Sequence, residues 1–224
     1  MAKLITGLLD LFFPPRCVFC GKVLEKSDRD GRRLWCRACR RTLPFTDGII
    51  KTENEIFPEC SAPLEYNETV RAAFLRFKFK GKIAYASTFG GIVADEISRA
   101  FTDRYDLVTW VPVSREREKK RGYDQSMLLA SAAALELDSV AVSTLRKIRD
   151  NPAQSGLDGQ KSRSENVKGA YVTSAPELVD GKRILLIDDI FTTGSTITEC
   201  AEMLKNAGAA EVIGAVFAKA VGRV

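Results

Sequence analysis

Arg183-Ile184-Leu185-Leu186-Ile187-Asp188-Asp189-Ile190-Phe191-Thr192-Thr193-Gly194-Ser195-Thr196 carries the strongest local pattern in the chain. The apolar run Ile184 to Ile187 has the length and composition of a strand buried in a parallel sheet. Two acids end it, a hydroxyl- and glycine-rich turn follows, and Ile197, Cys200, Ala201 and Leu204 then recur at helical spacing up to Gly208. Strand, acid pair, loop and helix therefore follow one another. In an open α/β sheet, ligands sit at the carboxyl ends of the strands. A helix N-terminus offers free N–H groups to an anion. Thr192, Thr193, Ser195 and Thr196 add hydroxyl donors, and Gly194 lets the backbone approach. Asp188 and Asp189 only accept hydrogen bonds, so they suit sugar hydroxyls or a hydrated Mg²⁺ rather than phosphate. A phosphate seat beside a diol acceptor describes a ribose 5-phosphate. Helix capping explains the hydroxyls alone and leaves the two acids unexplained.

This stretch resembles the phosphoribosyl-diphosphate (PRPP) motif of type I phosphoribosyltransferases: an apolar strand, paired acids, two variable positions, then Thr-Thr-Gly-x-Thr.

The chain has 224 residues, 45% hydrophobic and 28% charged, which suits one good-sized domain with a small module. No apolar run is long enough for a membrane helix, so stable membrane insertion is not expected. Leu4 to Phe13 reads as a short amphipathic helix rather than a signal peptide, because Asp10 interrupts it and Pro14-Pro15 ends it. Histidine is absent, which removes His-based triads and His metal ligands. The net charge is +5, and residues 1–45 hold ten Lys/Arg against four Asp/Glu, so the basic surplus is N-terminal.

Cys17-x2-Cys20 and Cys36-x2-Cys39, fifteen residues apart, have the spacing of a four-cysteine zinc ribbon. Disulfides would need a secretory route, and none is visible. Val23 to Leu34 reads as a short hairpin. Arg29, Arg32, Arg33, Arg37, Arg40 and Arg41 form either a solvated face or a nucleic-acid contact surface. Cys200 falls on an apolar helix face, and Cys60 is given no role.

Residues 46–69, with breakers Gly48, Pro58 and Pro63, read as a linker or hood segment between residues 1–45 and a domain over 70–224. Val70 to Lys82 begins as an amphipathic helix whose cations Arg76, Lys78 and Lys80 snorkel or meet nucleic acid. Phe89 to Phe101 reads as a second helix. Leu107 to Val113 reads as a strand that ends in a basic loop containing Arg115, Arg117, Lys119, Lys120 and Arg121, a second anion site. Val140 to Ile148 reads as another strand. Arg149 to Asn166 reads as a long loop of the lid type, and Val212 to Ala218 as the last strand.

In this order the pieces resemble the ComF family of phosphoribosyltransferase-like competence proteins, nearly end to end. The match includes Val111-Pro112-Val113 with Arg121-Gly122-Tyr123-Asp124-Gln125, and the Gln154, Arg163 and Asn166 loop. Many relatives carry a second cysteine pair near Cys60; here one cysteine stands there, so one zinc is expected. Position 124 is Asp where Asn is frequent.

The resemblance implies a type I phosphoribosyltransferase fold, a parallel five-stranded sheet flanked by helices, carrying a small N-terminal zinc ribbon. It implies Mg²⁺–PRPP bound by Asp188, Asp189, Thr192, Thr193, Gly194, Ser195, Thr196, Val113, Ser114, Arg115 and Arg121. Asp188, Asp189 and Arg149 are its candidate catalytic residues, and Cys17, Cys20, Cys36 and Cys39 its zinc ligands. It also implies a cytoplasmic role with single-stranded DNA and competence DNA-uptake proteins. Phosphoribosyltransferases for 6-oxopurines carry an acid where Thr192 stands, which argues against that acceptor. Amidotransferase chemistry needs an N-terminal Cys nucleophile; residue 2 is Ala. The acceptor stays open. So does the choice between an enzyme, a DNA-uptake factor that holds PRPP as a ligand, and a PRPP-sensing regulator.

Overall fold

The computed structural model describes residues 13–28, 33–149 and 168–220. The expected helix over Leu4 to Phe13 and the loop positions Gln154, Arg163 and Asn166 lie outside these, Phe13 itself excepted.

The core is a five-stranded sheet. In chain order its strands are β1 (Phe45–Lys51), β2 (Glu59–Glu65), β3 (Leu107–Trp110), β6 (Arg183–Phe191) and β7 (Glu211–Lys219), arranged β1-β2-β7-β6-β3. Neighbours from β2 to β3 pair in parallel, and edge strand β1 runs antiparallel to β2. The sheet has five strands, the number expected, but it is mixed, and β1 and β2 were not among the strands expected.

Residues 46–69 correct the linker reading, since they supply β1 and β2. Pro63 misled as a breaker. It sits at a β-bulge, where β1 advances from Phe45 to Gly48 while β2 steps only from Leu64 to Ala62, a place where a missing N–H is tolerated. Cys60 lies in β2 and is fully buried beneath Gly214.

Helices α2 (Glu68–Phe79), α3 (Tyr85–Ala100) and α5 (Gln125–Glu136) bury apolar faces in one core layer, where the Phe74 and Phe89 rings touch each other and those of Phe77 and Phe217. Helix α7 (Ser195–Asn206) packs Ile197, Cys200, Ala201 and Leu204 on the other sheet face. Among the described residues, no helix is long and apolar enough to cross a membrane.

Three further expectations change. Val140 to Ile148 is a strand only over β4 (Leu145–Lys147), which pairs with β5 (Tyr171–Thr173) in a separate two-stranded ribbon. Val140 is 74% exposed, so its β-branched side chain has no sheet face to cover. The basic loop after β3 is helix α4 (Arg115–Arg121). Ser114 caps it by accepting from Arg117 N–H at 3.3 Å, acids sit in its first turn and cations in its last, and Gly122 ends it at φ 85°. Val23 to Leu34 is not a hairpin over its described residues: Val23 bridges to Arg16, Lys26–Asp28 is a 3₁₀ turn, and Leu34 C=O accepts from Val18 N–H.

Candidate functional site

The cysteines come together. Cys17 and Cys20 lie on one knuckle, Cys36 caps helix α1 (Arg37–Thr42), and Cys39 sits in its first turn. All four sulfurs lie within 4.8 Å of one another, and Cys20 Sγ is 3.7 Å from Cys36 Sγ. A tetrahedral Zn²⁺ with Zn–S near 2.3 Å separates its sulfurs by about 3.8 Å, so the donor set fits one structural zinc. Cys17, Cys36 and Cys39 are buried, and backbone N–H groups of Cys36 and Cys39 point at Cys17 and Cys36 sulfurs, both at 3.4 Å. No second such cluster occurs among the described residues.

The second site is a cavity of about 480 Å³ at the carboxyl ends of β3 and β6. It brings together Asp188, Asp189, Thr192, Gly194, Ser195, Thr196, Val113 and Arg121 from the expected set. Ser114, Arg115, Thr193 and Arg149 do not line it. Ser114 is spent on its cap, and Arg115 and Arg149 are exposed. Thr193 Oγ1 lies 2.9 Å from Ser195 Oγ and so braces the turn. Helical periodicity explains Arg115: in α4, Arg117 and Arg121 stand four residues apart on one face, and both line the cavity.

Gly194 adopts φ 76°, and an added Cβ would fall 2.7 Å from the Phe191 ring. The turn therefore needs glycine to present the N-terminus of α7 to the cavity.

The two acids are not equivalent. Asp189 is paired with Lys78 Nζ at 2.6 Å and accepts from Gln125 Nε2 at 3.3 Å and from Ile190 N–H at 2.7 Å. Burial alone would raise its carboxyl, but the Lys78 ammonium beside it carries it below the usual carboxylate range. Among the described residues, Asp188 accepts from Ser126 Oγ at 3.2 Å and from Asp189 N–H at 2.8 Å. Burial, together with the Asp189 charge, pushes it up to about 8. Arg121 donates to Gln125 Oε1 at 2.7 Å and lies 5.0 Å from the Phe79 ring centre; burial and the neighbouring Arg117 pull its pKa down.

The state of Asp188 yields a pH prediction. A carboxyl whose folded value lies above its unfolded value of about 4 takes up a proton on folding. Stability is then greatest below pH 4 for this group and is lost as pH rises toward 8, by up to about 1.4 kcal/mol per unit. Denaturant titrations between pH 5 and 8 should show that fall, and Asp188→Asn should remove it. An unchanged slope in the variant would assign the proton elsewhere.

Sequence reasoning placed Arg117 in a basic anion loop without singling it out, and gave Lys78, Gln125, Ser126 and Asp124 no part in the site. Asp124 caps α5 by accepting from Ser126 and Met127 N–H and also accepts from Val113 N–H at 3.0 Å, which ties the β3 loop to the helix that carries Gln125. Burial raises its carboxyl against those three bonds. The signal was present: Asp followed by an apolar helical run is a cap signature.

Residues 124–223 match a phosphoribosyl transferase domain model, and residues 8–72 match a double zinc ribbon domain. The chain is similar to the Streptococcus pneumoniae protein named competence protein ComFC, at 30% identity over 88% of this chain and 77% of that one. It is 35% identical to the Salmonella typhi DNA utilization protein YhgH, over 48% of this chain and 46% of that one. A solved glutamine PRPP amidotransferase from B. subtilis superposes with a TM-score of 0.44 at 21% identity; it covers 64% of this chain, which spans 30% of that one. The relative aligned over most of both chains, with a ribbon in front of a phosphoribosyltransferase fold, shows that this chain belongs to the ComF family of competence proteins.

Proposed function

We propose that the cavity binds Mg²⁺–PRPP and that the protein acts as a ComF-type phosphoribosyltransferase in the handling of imported single-stranded DNA in the cytoplasm. The observation that carries this reading is the acid pair Asp188 and Asp189, facing Arg117, Arg121 and the Gly194–Thr196 turn around one cavity. The acids accept from the ribose diol, the α7 N-terminus seats the 5-phosphate, and Arg117 and Arg121 neutralise the diphosphate. Mg²⁺ bound with PRPP would draw charge from the departing diphosphate. In transfer, the bond from the anomeric carbon to diphosphate breaks, diphosphate leaves with the electron pair, and the acceptor's lone pair forms the new bond. The carboxylates sit where they stabilise the cation-like sugar between. Arg149, exposed at the start of the expected lid, is proposed to reach the diphosphate.

A thermal-shift comparison tests this. Mg²⁺–PRPP should raise the melting temperature more than diphosphate or ribose 5-phosphate at equal concentration. Equal shifts from diphosphate alone would reduce the cavity to an anion site. Release of diphosphate with any acceptor separates an enzyme from a factor that holds PRPP as ligand or signal.

We place the proposed DNA contact on α1, because other basic residues are engaged within the protein. Arg33 is paired with Asp95, Arg76 with the zinc knuckle and Lys78 with Asp189. Arg37 and Arg41 on α1 are exposed. Replacing both by Ala should weaken binding of a labelled oligonucleotide and flatten its log–log salt slope by about 0.7 for each phosphate no longer neutralised. Anisotropy across a salt series measures this, and an unchanged slope would remove α1 from the interface.

A further inference from the structure

The zinc ribbon and the cavity are joined by three consecutive residues of one helix turn. Arg76, at the last turn of α2, donates from Nη2 to the carbonyl oxygens of Val18 at 2.9 Å and Phe19 at 2.7 Å. These are the two residues between Cys17 and Cys20, so the guanidinium grips the backbone of the metal knuckle itself. The Phe77 carbonyl accepts from the Tyr123 hydroxyl, just ahead of the Asp124 and Gln125 positions. Lys78 pairs with Asp189 and lies 5.7 Å from the Phe74 ring centre. The ribbon also packs Phe19 on Phe89 at 5.7 Å, so the knuckle and α2 share one buried layer.

We propose that Arg76 is a positioning residue that couples the metal knuckle to Asp189 through Lys78, so that zinc occupancy and PRPP affinity depend on each other. The proposal rests on the reading of the cavity as a PRPP site. The knuckle holds its carbonyls toward Arg76 only while the four thiolates are gathered. With them released, the last turn of α2 loses its Arg76 anchor and keeps only those of Phe77. Helix ends fray when their anchors go, and Lys78 is then no longer held against Asp189. Lys78 is a cation in the wall of a polyanion site, so its loss weakens ligand binding as well as the ion pair. Coupling of this kind is reciprocal: whatever zinc does for PRPP, PRPP does for zinc.

The test uses the zinc-loaded full chain and reads how zinc divides at equilibrium between the protein and a zinc-selective coloured chelator, with and without saturating Mg²⁺–PRPP, beside calorimetric PRPP affinity. In wild type, PRPP should tighten zinc affinity roughly fivefold or more. Arg76→Gln should hold zinc more weakly, bind PRPP roughly fivefold more weakly, and show no effect of PRPP on zinc affinity. Arg76→Lys, which keeps a donor for the carbonyls, should restore part of the response. Lys78→Met cuts the far end without touching the knuckle: at a PRPP concentration that calorimetry shows to saturate the variant, zinc affinity should no longer respond to PRPP. Wild type that binds PRPP without any change in zinc affinity would overturn the coupling alone. A full response in Lys78→Met or Arg76→Gln would overturn the route. Wild type that binds no PRPP would overturn the site reading and the proposal with it.

Discussion

Asp189→Asn is expected to destabilise the ligand-free protein by about 1–3 kcal/mol, whereas Asp188→Asn should leave it as stable as wild type or more so. From sequence the pair reads as two equivalent acids that repel one another. The structure separates them. Asp189 is the partner of Lys78, whose side chain is only 23% exposed, so removing the carboxylate strands a largely buried ammonium. Among the described residues no cation lies at hydrogen-bond distance of Asp188, and its neutral form is already favoured by burial and by Asp189. An amide there reproduces that neutral form and keeps an acceptor for Ser126. In Asp189→Asn the lost charge also lets Asp188 ionise more easily, which offsets part of the cost. Both variants should weaken Mg²⁺–PRPP binding by about 1.5–3 kcal/mol, the scale of a charged hydrogen bond. Denaturant unfolding of the two variants side by side checks the asymmetry. Equal destabilisation would mean that the Lys78 pair does not distinguish them.

Cys17→Ser should have the largest effect on structure. Structural zinc supplies about 10–16 kcal/mol of apparent binding free energy to small ribbon modules, and most of it is folding free energy. Loss of one buried thiolate should release the metal. The damage should spread, because Phe19 and Trp35 of the ribbon belong to the same buried layer as Phe74, Phe77 and Phe89. Leu34 N–H also donates to Thr88 Oγ1 at 2.8 Å, and Arg33 pairs with Asp95, so the ribbon is fastened to α3 by polar ties as well. Metal analysis should find about one zinc per wild-type chain and less in the variant, with a lower melting temperature. A variant with full zinc and an unchanged melt would remove Cys17 from the ligands.

The elements that carry strong local patterns were legible in the sequence. The run Ile184 to Ile187 with Asp188, Asp189 and Gly194 reads as strand, acids and turn from composition alone, and the cysteine spacing names its metal. What sequence could not give depends on tertiary pairing. β1 and β2 carry no clear period, because β2 is buried between two strands and its Pro63 is excused only by a bulge on its partner. Arg115 and Arg117 look alike in a basic run; only the phase of α4 puts Arg117 inward. Arg76 and Lys78 look like a surface patch, yet one holds the zinc knuckle and the other Asp189.

If the cavity at the ends of β3 and β6 binds Mg²⁺–PRPP through its acid pair, isothermal titration of wild type with PRPP, in Mg²⁺ and in its absence, should show it. One PRPP should bind per chain, with affinity that depends on Mg²⁺. No heat of binding under either condition, or binding that both Asp188→Asn and Asp189→Asn retain at wild-type strength, would contradict it.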